Sequence, residues 1–385
     1  MPPPSYNRLS GLYDSPLRRL LRRAFAETVS QPTITYVNNG IVTDDAADLH
    51  FDCESAKQRV AIIVPTYVQR CSLSSLREHL RRIDASIKIA CQELSDFQFM
   101  LVVALQWSDS DTKQVSITKL LSLTQEWSRD HETPLMGISL SPRSKLLALN
   151  SCRALIDAVH IQVVSWIDDD VVLDKHCLSE LLKRFDSSFQ GIYGGRKITI
   201  ADSSRFSIWW ARRKNRIEPV NLYPHGCCML MSEREFNGGI PLVYQSDDHY
   251  FLLKCLEPEA ADPFVRLRVV REAKFFCPTA NTPRTILGRI RRNYSNVLRI
   301  LADAPPSTVR FFLRDLMFTN LRLPRTLVEC WSAKYWREMF WHLLKLLFWL
   351  WCALPVFVRG ALNLPKLPQW YSAPFPMSIR DVNED

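Results

Sequence analysis

The strongest constraint on the fold is the apolar run at Arg59–Tyr67, which reads Arg-Val-Ala-Ile-Ile-Val-Pro-Thr-Tyr. Strands that are buried on only one face alternate apolar and polar residues, whereas this run is continuous. A continuous Val and Ile run is typical of a strand buried on both faces, at the centre of a mostly parallel sheet. The sequence therefore predicts a central strand that ends in Pro-Thr-Tyr.

Helices and strands alternate on either side of this run. Apolar residues recur at helical spacing over 74–91, a second strand is predicted at 97–105, and another helix at 115–129. A further helix is predicted over 144–157, and the weak polar pattern over 33–51 indicates a hairpin or an extended lead-in. Such alternation predicts an α/β sheet flanked by helices, with its ligand crevice at the carboxyl ends of the strands.

A second apolar strand, Val163–Ile167, runs directly into three consecutive carboxylates, Asp168, Asp169 and Asp170. Adjacent like charges repel each other and are stable together mainly when a cation or strong donors neutralise them. The triplet therefore indicates a divalent metal ion that holds a phosphate. On an extended backbone, Asp168 and Asp170 would point to one side and Asp169 to the other.

The alternative interpretation of the triplet is a solvated turn before a helix. Asp174 is a suitable N-cap for a helix predicted over Lys175–Phe185, in which leucines and a phenylalanine recur at helical spacing. In that case the three acids would need no ligand.

Four further motifs follow the triplet. Gly191–Ile198 contains glycines where a backbone approaches a neighbour closely, and Pro224–Met231 is an apolar strand that opens with glycine. Phe236–Pro241 forms a Gly-Gly loop, and the acidic pair Asp247 and Asp248 begins a helix.

The order of these motifs resembles that of inverting family 2 glycosyltransferases with the GT-A fold. In that family, a strand ending in Pro-Thr-Tyr, an Ala-Leu-Asn helix and a carboxylate triplet precede a Gly-x-x-Met-Leu strand, a Gly-Gly loop and an acidic pair. The resemblance covers roughly residues 58–300, and the motifs occur in the same order as in the family. This shared order is more specific than any single short motif. Within the family, the arginine-rich stretch over 288–296, which ends in Ser-Asn, resembles that of the fungal polysaccharide synthase-like members.

The resemblance implies roles for the acids. Asp168 and Asp170 would hold a magnesium or manganese ion that neutralises the diphosphate of a nucleotide sugar. Asp170 would be the more direct ligand, and Asp168 would lie nearer the ribose or the water shell of the metal. Asp248 would be the base that takes the proton of the acceptor hydroxyl, and Asp247 beside it would favour proton uptake by repulsion. The alternative for the acidic pair is stabilisation of a helix N-terminus through its dipole.

The resemblance also implies a nucleotide pocket. Pro65, Thr66 and Tyr67 would lie under the base and ribose, with the tyrosine stacking or hydrogen-bonding. The family places an acid after its second strand to read uracil, and Asp109 or Asp111 would take that place here, with Gln106 as the alternative.

The family's Gln-x-x-Arg-Trp motif, which grips the diphosphate, is replaced here by an arginine-rich stretch over 288–296. Arg289 and Arg292 lie three apart on one predicted helical face and would clamp phosphate oxygens. Contact with anionic lipid is the alternative, because nine arginines and no lysine occur between Arg284 and Arg325 in a chain of formal charge +9.

The ends of the chain predict membrane contact. Leu17–Phe25 is a short basic amphipathic helix, either a membrane-surface anchor or a helix docked on the domain. Leu346–Val358 is apolar but shorter than the ~20 residues of a membrane span. Nearby tryptophans favour an interfacial or re-entrant helix over a single span, and a buried hairpin is the third interpretation.

The predicted organisation is a lead-in over 1–57, a GT-A domain over 58–300, and a helical, tryptophan-rich, membrane-associated region over 301–385. Eleven scattered cysteines without a Cys-x-x-Cys pair suit a reducing compartment. The expected location is therefore the cytosolic face of a membrane.

The sequence thus predicts a metal-dependent inverting hexosyltransferase that moves a sugar from a nucleotide-sugar donor, expected to be a UDP-sugar, to a hydroxyl of a glycan or lipid. Its expected partners are the donor, the acceptor, the membrane surface and a membrane protein, and nucleic acid is not among them. One alternative is a degenerate membrane-attached scaffold of a polysaccharide synthase complex. The other is a nucleotidyltransferase, which would need a Gly- and Lys-rich phosphate loop that Pro65–Arg70 does not provide.

Overall fold

The computed structural model describes most of the predicted α/β region. The described residues are 32–48, 57–69, 71–142, 144–202, 204–217, 223–240, 247–279 and 304–311, with Arg19, Leu20, Thr282 and single positions between 336 and 362. Within them, a single large sheet is flanked by helices on both faces.

The strands of the described sheet fall into the order β2-β1-β5-β4-β3-β6-β9-β8-β10-β7. Their bounds are β1 Thr33–Asn38, β2 Ile41–Thr43, β3 Gln58–Tyr67, β4 Phe97–Gln106, β5 Leu135–Ser141, β6 Val163–Ile167, β7 Val172–Leu173, β8 Ile192–Ile200, β9 Cys228–Ser232 and β10 Leu267–Pro278.

The helices connect these strands. Their bounds are α1 Leu73–Glu93, α2 Ser110–Asp130, α3 Lys145–Ala158, α4 Cys177–Lys183, α5 Arg205–Ile217, α6 Glu233–Phe236, α7 Asp247–Cys255 and α8 Pro306–Phe311, and a short 3-10 turn covers Ala46–Asp48.

The centre of the sheet is parallel, as predicted. Strands β5, β4, β3 and β6 run in the same direction, and antiparallel pairings of β1 with β5 and of β9 with β6 extend the sheet on both sides. From β3 the chain moves first to β4 on one side and later to β6 on the other. A ligand crevice is expected where the strand order reverses in this way, outside the carboxyl ends of β3 and β6.

The prediction that β3 is buried on both faces is confirmed. Ala61 and Ile63 belong to the apolar core that contains residues of α3 and α7. Ile62 and Val64 belong to the core on the other face, with residues of α1, α2 and α4. Because successive strand residues face opposite sides, each core takes alternate residues of one continuous apolar run.

The predicted hairpin is also present, since β1 and β2 pair through a turn at Asn39 and Gly40, both with positive φ, 42° and 92°. Such turns favour Asn-Gly because both central residues are left-handed. The predicted N-cap at Asp174 is wrong. Helix α4 begins at Cys177 with His176 at its N-cap, and Asp174 instead accepts a hydrogen bond from the His176 backbone at 3.1 Å.

The predicted membrane segments lie largely outside the described residues. Arg19 and Leu20 are helical, but the rest of the basic amphipathic segment is not described, and neither are Arg289 and Arg292. In the part of the chain that the structure describes, no helix is long and apolar enough to cross a membrane. The described positions between 336 and 362 are helical, and their large apolar side chains are exposed.

Candidate active site

The predicted site residues gather where the strand order reverses. Strand β3 ends at Tyr67 and β6 at Ile167, so the Pro-Thr-Tyr and aspartate motifs are neighbours at one edge of the sheet. The buried hydroxyl of Thr66 donates a hydrogen bond to Asp169 Oδ2 at 2.5 Å. This bond fixes the middle acid of the triplet against the end of the first strand.

The triplet forms a turn and does not continue the strand. The Asp168 backbone N–H donates to the Cys227 carbonyl, and the Val171 N–H donates back to the Asp168 carbonyl, both at 3.1 Å. The extended backbone expected for the triplet therefore ends with β6, because the chain turns immediately after it. Within the described residues, Asp170 makes no hydrogen bond or ion pair, and its side chain is partly exposed.

Lys145 joins the triplet to the acidic pair. Its ammonium lies 2.6 Å from Asp168 Oδ1 and 2.9 Å from Asp247 Oδ2, and it donates to the Gly226 carbonyl at 2.7 Å. Burial alone would lower the Lys145 pKa, but the attraction of the two carboxylates raises it well above its ordinary value. The lysine is therefore a permanent cation between two predicted motifs.

The pKa of Asp168 is raised to about 7, mainly by burial. The attraction of Lys145 opposes this rise, whereas repulsion from Asp247 and Asp170 adds to it. The site thus concentrates more negative charge than one lysine neutralises.

Asp247 is a buried residue that anchors the site. The indole Nε1 of Trp166 donates to Asp247 Oδ2 at 2.8 Å and to the Gly226 carbonyl at 2.9 Å. A Cβ at Gly226 would lie 2.9 Å from Asp247 Oδ1, so glycine is needed for this approach. Asp247 is therefore a buried residue that supports the site. The sequence pattern groups it with Asp248, the expected base.

Asp248 is only partly buried and faces two histidines. Its carboxylate lies 3.3 Å from His249 Nδ1 and 4.0 Å from His225 Nδ1. His225 Nε2 is 3.1 Å from the Lys197 ammonium. Because an ammonium only donates, Nε2 accepts this bond, and Nδ1 lies between Asp248 and Cys227 Sγ, which is 3.7 Å away.

Sequence reasoning missed the roles of Lys145, Lys197 and His225. Lys145 lies at the start of the helix predicted over 144–157, as the residue after the N-cap Ser144. A cation is disfavoured at a helix N-terminus, so its position there was a usable signal. His225 directly precedes Gly226, but nothing in the local pattern indicates its pairing with Lys197 on β8.

The predicted nucleotide residues differ in their exposure. Pro65 and Thr66 are buried, and Tyr67, the last residue of β3, is partly exposed. Asp109 is the N-cap of α2, where Oδ1 accepts from the Thr112 N–H and Oδ2 from the Ser108 hydroxyl, both at 2.9 Å. Gln106 lies beside Tyr67 on β4, is buried, and its Oε1 receives no hydrogen bond from the described residues.

The donor set at the triplet fits one kind of metal site. The described residues contain no group of three or more His, Cys, Asp or Glu side chains that could enclose an ion. Magnesium is typically held by one or two carboxylates together with substrate phosphates and waters. Asp170, with no polar partner among described residues, and Asp168, whose Oδ1 has the Lys145 ion pair but no well-aligned hydrogen bond, could provide such a pair.

Fold and site together define an α/β protein with a cluster of carboxylates at the reversal point of its sheet. No protein-family model matches the sequence, and no curated protein matches it. Among solved structures, TarS of S. aureus is similar over 69% of this chain and 46% of its own, with 13% identity and a TM-score of 0.35. The chain thus spans about half the length of TarS, and at this level of similarity the function must be argued from the site itself.

Proposed function

We propose that this protein is a metal-dependent inverting glycosyltransferase of the GT-A type, which moves a sugar from a nucleotide sugar to a hydroxyl of a glycan or lipid. The observation that carries the proposal is the meeting of the aspartate triplet and the acidic pair through Lys145, at the carboxyl ends of β3 and β6. A UDP-sugar is the expected donor. The mixed sheet with its parallel centre is consistent with this fold.

The donor side would be formed by the triplet. Asp168 and Asp170 would hold a magnesium or manganese ion, which when bound supplies positive charge against the diphosphate leaving group. Thr66 keeps Asp169 turned toward β3. Tyr67 offers the exposed surface for the base, and Arg289 and Arg292 remain the proposed phosphate clamp.

The acceptor side would be formed by Asp248. The acceptor oxygen forms a bond to the anomeric carbon as the bond from that carbon to the diphosphate breaks, and the hydroxyl proton passes to the Asp248 carboxylate. Asp247 is held by Trp166 and Lys145, so it fixes the start of α7 and with it the position of Asp248. His225 and His249 orient the carboxylate from two sides.

The activity can be tested on the purified full-length protein by hydrolysis of a panel of UDP- and GDP-sugars with manganese. We expect release of the nucleotide from one donor, and loss of this release in both Asp170→Ala and Asp248→Asn. Asp96→Asn is the matched control, because Asp96 is exposed and lies before β4, away from the site.

Three outcomes would contradict the proposal. Hydrolysis that persists in both site variants would place the activity elsewhere. Absence of both turnover and nucleotide binding would favour a membrane-attached scaffold. Release of pyrophosphate from a nucleoside triphosphate would favour a nucleotidyltransferase.

We also propose that the C-terminal region binds the cytosolic face of a membrane, where an acceptor or a membrane protein partner would be reached. The described helical positions of this region include ten large apolar side chains with exposed fractions of 38–64%: Trp336, Phe340, Leu343, Leu344, Leu347, Leu350, Trp351, Leu354, Val358 and Leu362. Exposed apolar and tryptophan side chains on a helical segment favour binding to the interface of a bilayer.

This attachment can be measured by sedimentation with vesicles of phosphatidylcholine and phosphatidylserine. We expect Leu354→Glu, at a site 64% exposed, to reduce the sedimented fraction. Ile41→Glu is the matched control, because Ile41 is 52% exposed but lies on strand β2. Equal binding by both variants and the unchanged protein would contradict the membrane proposal.

A further inference from the structure

We infer that the Lys145 ammonium competes with the metal ion for the Asp168 carboxylate. In the donor-free protein the ammonium forms an ion pair with Asp168, and this ion pair breaks when the metal and a nucleoside diphosphate bind together. This inference deepens the proposed function and rests on it. It predicts that the nucleotide and the metal bind cooperatively, because the phosphate offers the displaced ammonium a new anionic partner.

The contacts of Lys145 carry the first step. The ammonium has three oxygen neighbours within 2.9 Å: Asp168 Oδ1, Asp247 Oδ2 and the Gly226 carbonyl. The contacts with the two carboxylates are ion pairs and the contact with Gly226 is a hydrogen bond, so oxygens surround the ammonium in this state. Asp168 is also one of the two carboxylates proposed to hold the metal.

The position of Lys145 carries the second step. It is the first residue of α3, where the helix dipole disfavours a cation. Only the surrounding carboxylates make this placement favourable, so the ammonium is held by the acids and not by its own helix. A divalent ion bound to Asp168 would repel the ammonium at the same oxygen.

The surrounding acids carry the third step. Asp169 is satisfied by Thr66, and Asp247 has a second donor in Trp166. Asp168 has no comparable second donor, since Oδ1 receives no well-aligned hydrogen bond from the described residues. The Lys145–Asp168 pair is therefore the contact that can be exchanged, while Asp247 retains the lysine close by.

The test measures Mn²⁺ binding to the full chain by electron paramagnetic resonance, with and without UDP. We expect Lys145→Met to bind Mn²⁺ about tenfold more tightly without UDP, equivalent to ~1.4 kcal/mol. The factor by which UDP tightens Mn²⁺ binding should fall in the same variant. Mn²⁺ affinity that is unchanged or weakened in Lys145→Met would overturn the inference.

Lys254→Met is the matched control for loss of a lysine charge. Lys254 pairs with the Glu235 carboxylate at 3.1 Å and donates to the Glu235 carbonyl, and its side chain is 23% exposed against 24% for Lys145. It has no contact with Asp168 in the described structure. In Lys254→Met, the Mn²⁺ affinity should stay at the wild-type value both with and without UDP. Tightening equal to that in Lys145→Met would assign the effect to the loss of any lysine charge and overturn the inference.

A second measurement needs no variant, in case Lys145→Met does not fold. Reductive methylation of the wild-type protein, followed by mass spectrometry, reports the reactivity of each lysine amine. Lys145 should react slowly in the protein alone, several-fold faster with saturating Mn²⁺, and slowly again with Mn²⁺ and UDP together. Reactivity that Mn²⁺ leaves unchanged would overturn the inference.

These readouts separate the inference from the proposed function. Donor hydrolysis by the wild-type protein, together with unchanged Mn²⁺ affinity in Lys145→Met, would refute the competition and leave the transferase standing. Tighter Mn²⁺ binding in Lys145→Met, together with no donor turnover by the wild-type protein, would support the competition for Asp168 and refute the transferase.

Discussion

The indole of Trp166 gives the sharpest prediction about stability, because it carries a hydrogen bond to a buried carboxylate. Trp166→Phe removes the donor to Asp247 Oδ2 and to the Gly226 carbonyl. Hydrogen bonds to charged groups contribute ~1.5–3 kcal/mol, and the smaller ring leaves a cavity worth about 1 kcal/mol beside Phe236 and Phe251. We expect a loss of about 3 kcal/mol in the free energy of unfolding.

Trp127→Phe is the matched control. Trp127 is also buried, but its Nε1 donates to the uncharged carbonyl of Thr133 at the same distance, 2.8 Å. A neutral bond contributes ~0.5–1.5 kcal/mol, so with a similar cavity the loss should be about 2 kcal/mol.

Urea denaturation at pH 7, followed by circular dichroism, measures both losses. Both variants remove one indole N–H from a buried site, and the Trp166 N–H has the charged carboxylate of Asp247 as an additional acceptor, so the larger loss is expected for Trp166→Phe. If Trp166→Phe costs no more than Trp127→Phe, the bond to Asp247 does not stabilise the fold and the anchoring role of this acid is refuted.

Two further predictions concern Gly226 and His79. Gly226→Ala should displace the Asp247 carboxylate, cost about 1–3 kcal/mol of stability and reduce donor hydrolysis by up to about 100-fold. Gly238→Ala is the control, because a Cβ there meets nothing within 4 Å, and it should leave stability and hydrolysis unchanged. Equal effects of the two substitutions would contradict the role of Gly226. Burial, with a smaller contribution from Arg82, lowers the pKa of His79 from 6.5 to about 4. The unfolded chain therefore binds the extra proton, and stability present above pH 6.5 is lost as the pH falls toward 4, by about 3 kcal/mol. The raised pKa of Asp168 acts in the opposite direction over a similar range. The measurement is therefore the difference in the free energy of unfolding between the wild type and His79→Leu, from urea denaturation at pH 7.5 and at pH 4.5. The variant should gain stability relative to the wild type at the lower pH. An equal difference at both pH values would refute the assignment to His79.

Local pattern was sufficient for much of the fold. The Val and Ile run of β3 predicted a strand with two buried faces, and helical spacing placed α1, α2 and α3 to within a few residues, except for the start of α2. Strand β5 was missed because Gly137 interrupts its apolar pattern. That glycine is required by packing, since a Cβ there would lie 2.9 Å from the Leu120 side chain of α2.

Strand β10 was missed for a different reason. Charged residues recur along it, and its pairing with β8 shifts register between Val270 and Lys274, so no period of two is sustained. Such an irregularity depends on the neighbouring strand and leaves no clear trace in the sequence of one segment.

Some residues of the candidate site could be predicted from the sequence, whereas the contacts that join them could not. Asp168, Asp247 and Asp248 could be selected from the sequence because acids at the end of a strand or the start of a helix carry a local signature. The bridge by Lys145 could not, because it depends on how α3 is oriented above two other elements. The contact between Trp166 and Asp247 joins residues 81 positions apart, which is beyond any local pattern.

The two ends of the described sheet have a consequence for the behaviour of the protein in concentrated solution. Strand β2 has three residues and β7 has two, although the strands inside the sheet reach ten or more. Unpaired backbone groups on long edge strands recruit other chains and begin aggregation. Strand β7 pairs only with Phe275 and Phe276, so residues 267–273 of β10 lie at the edge of the described sheet. Exposed charged side chains along this edge, among them Arg268 and Arg271, disfavour self-association by strand addition.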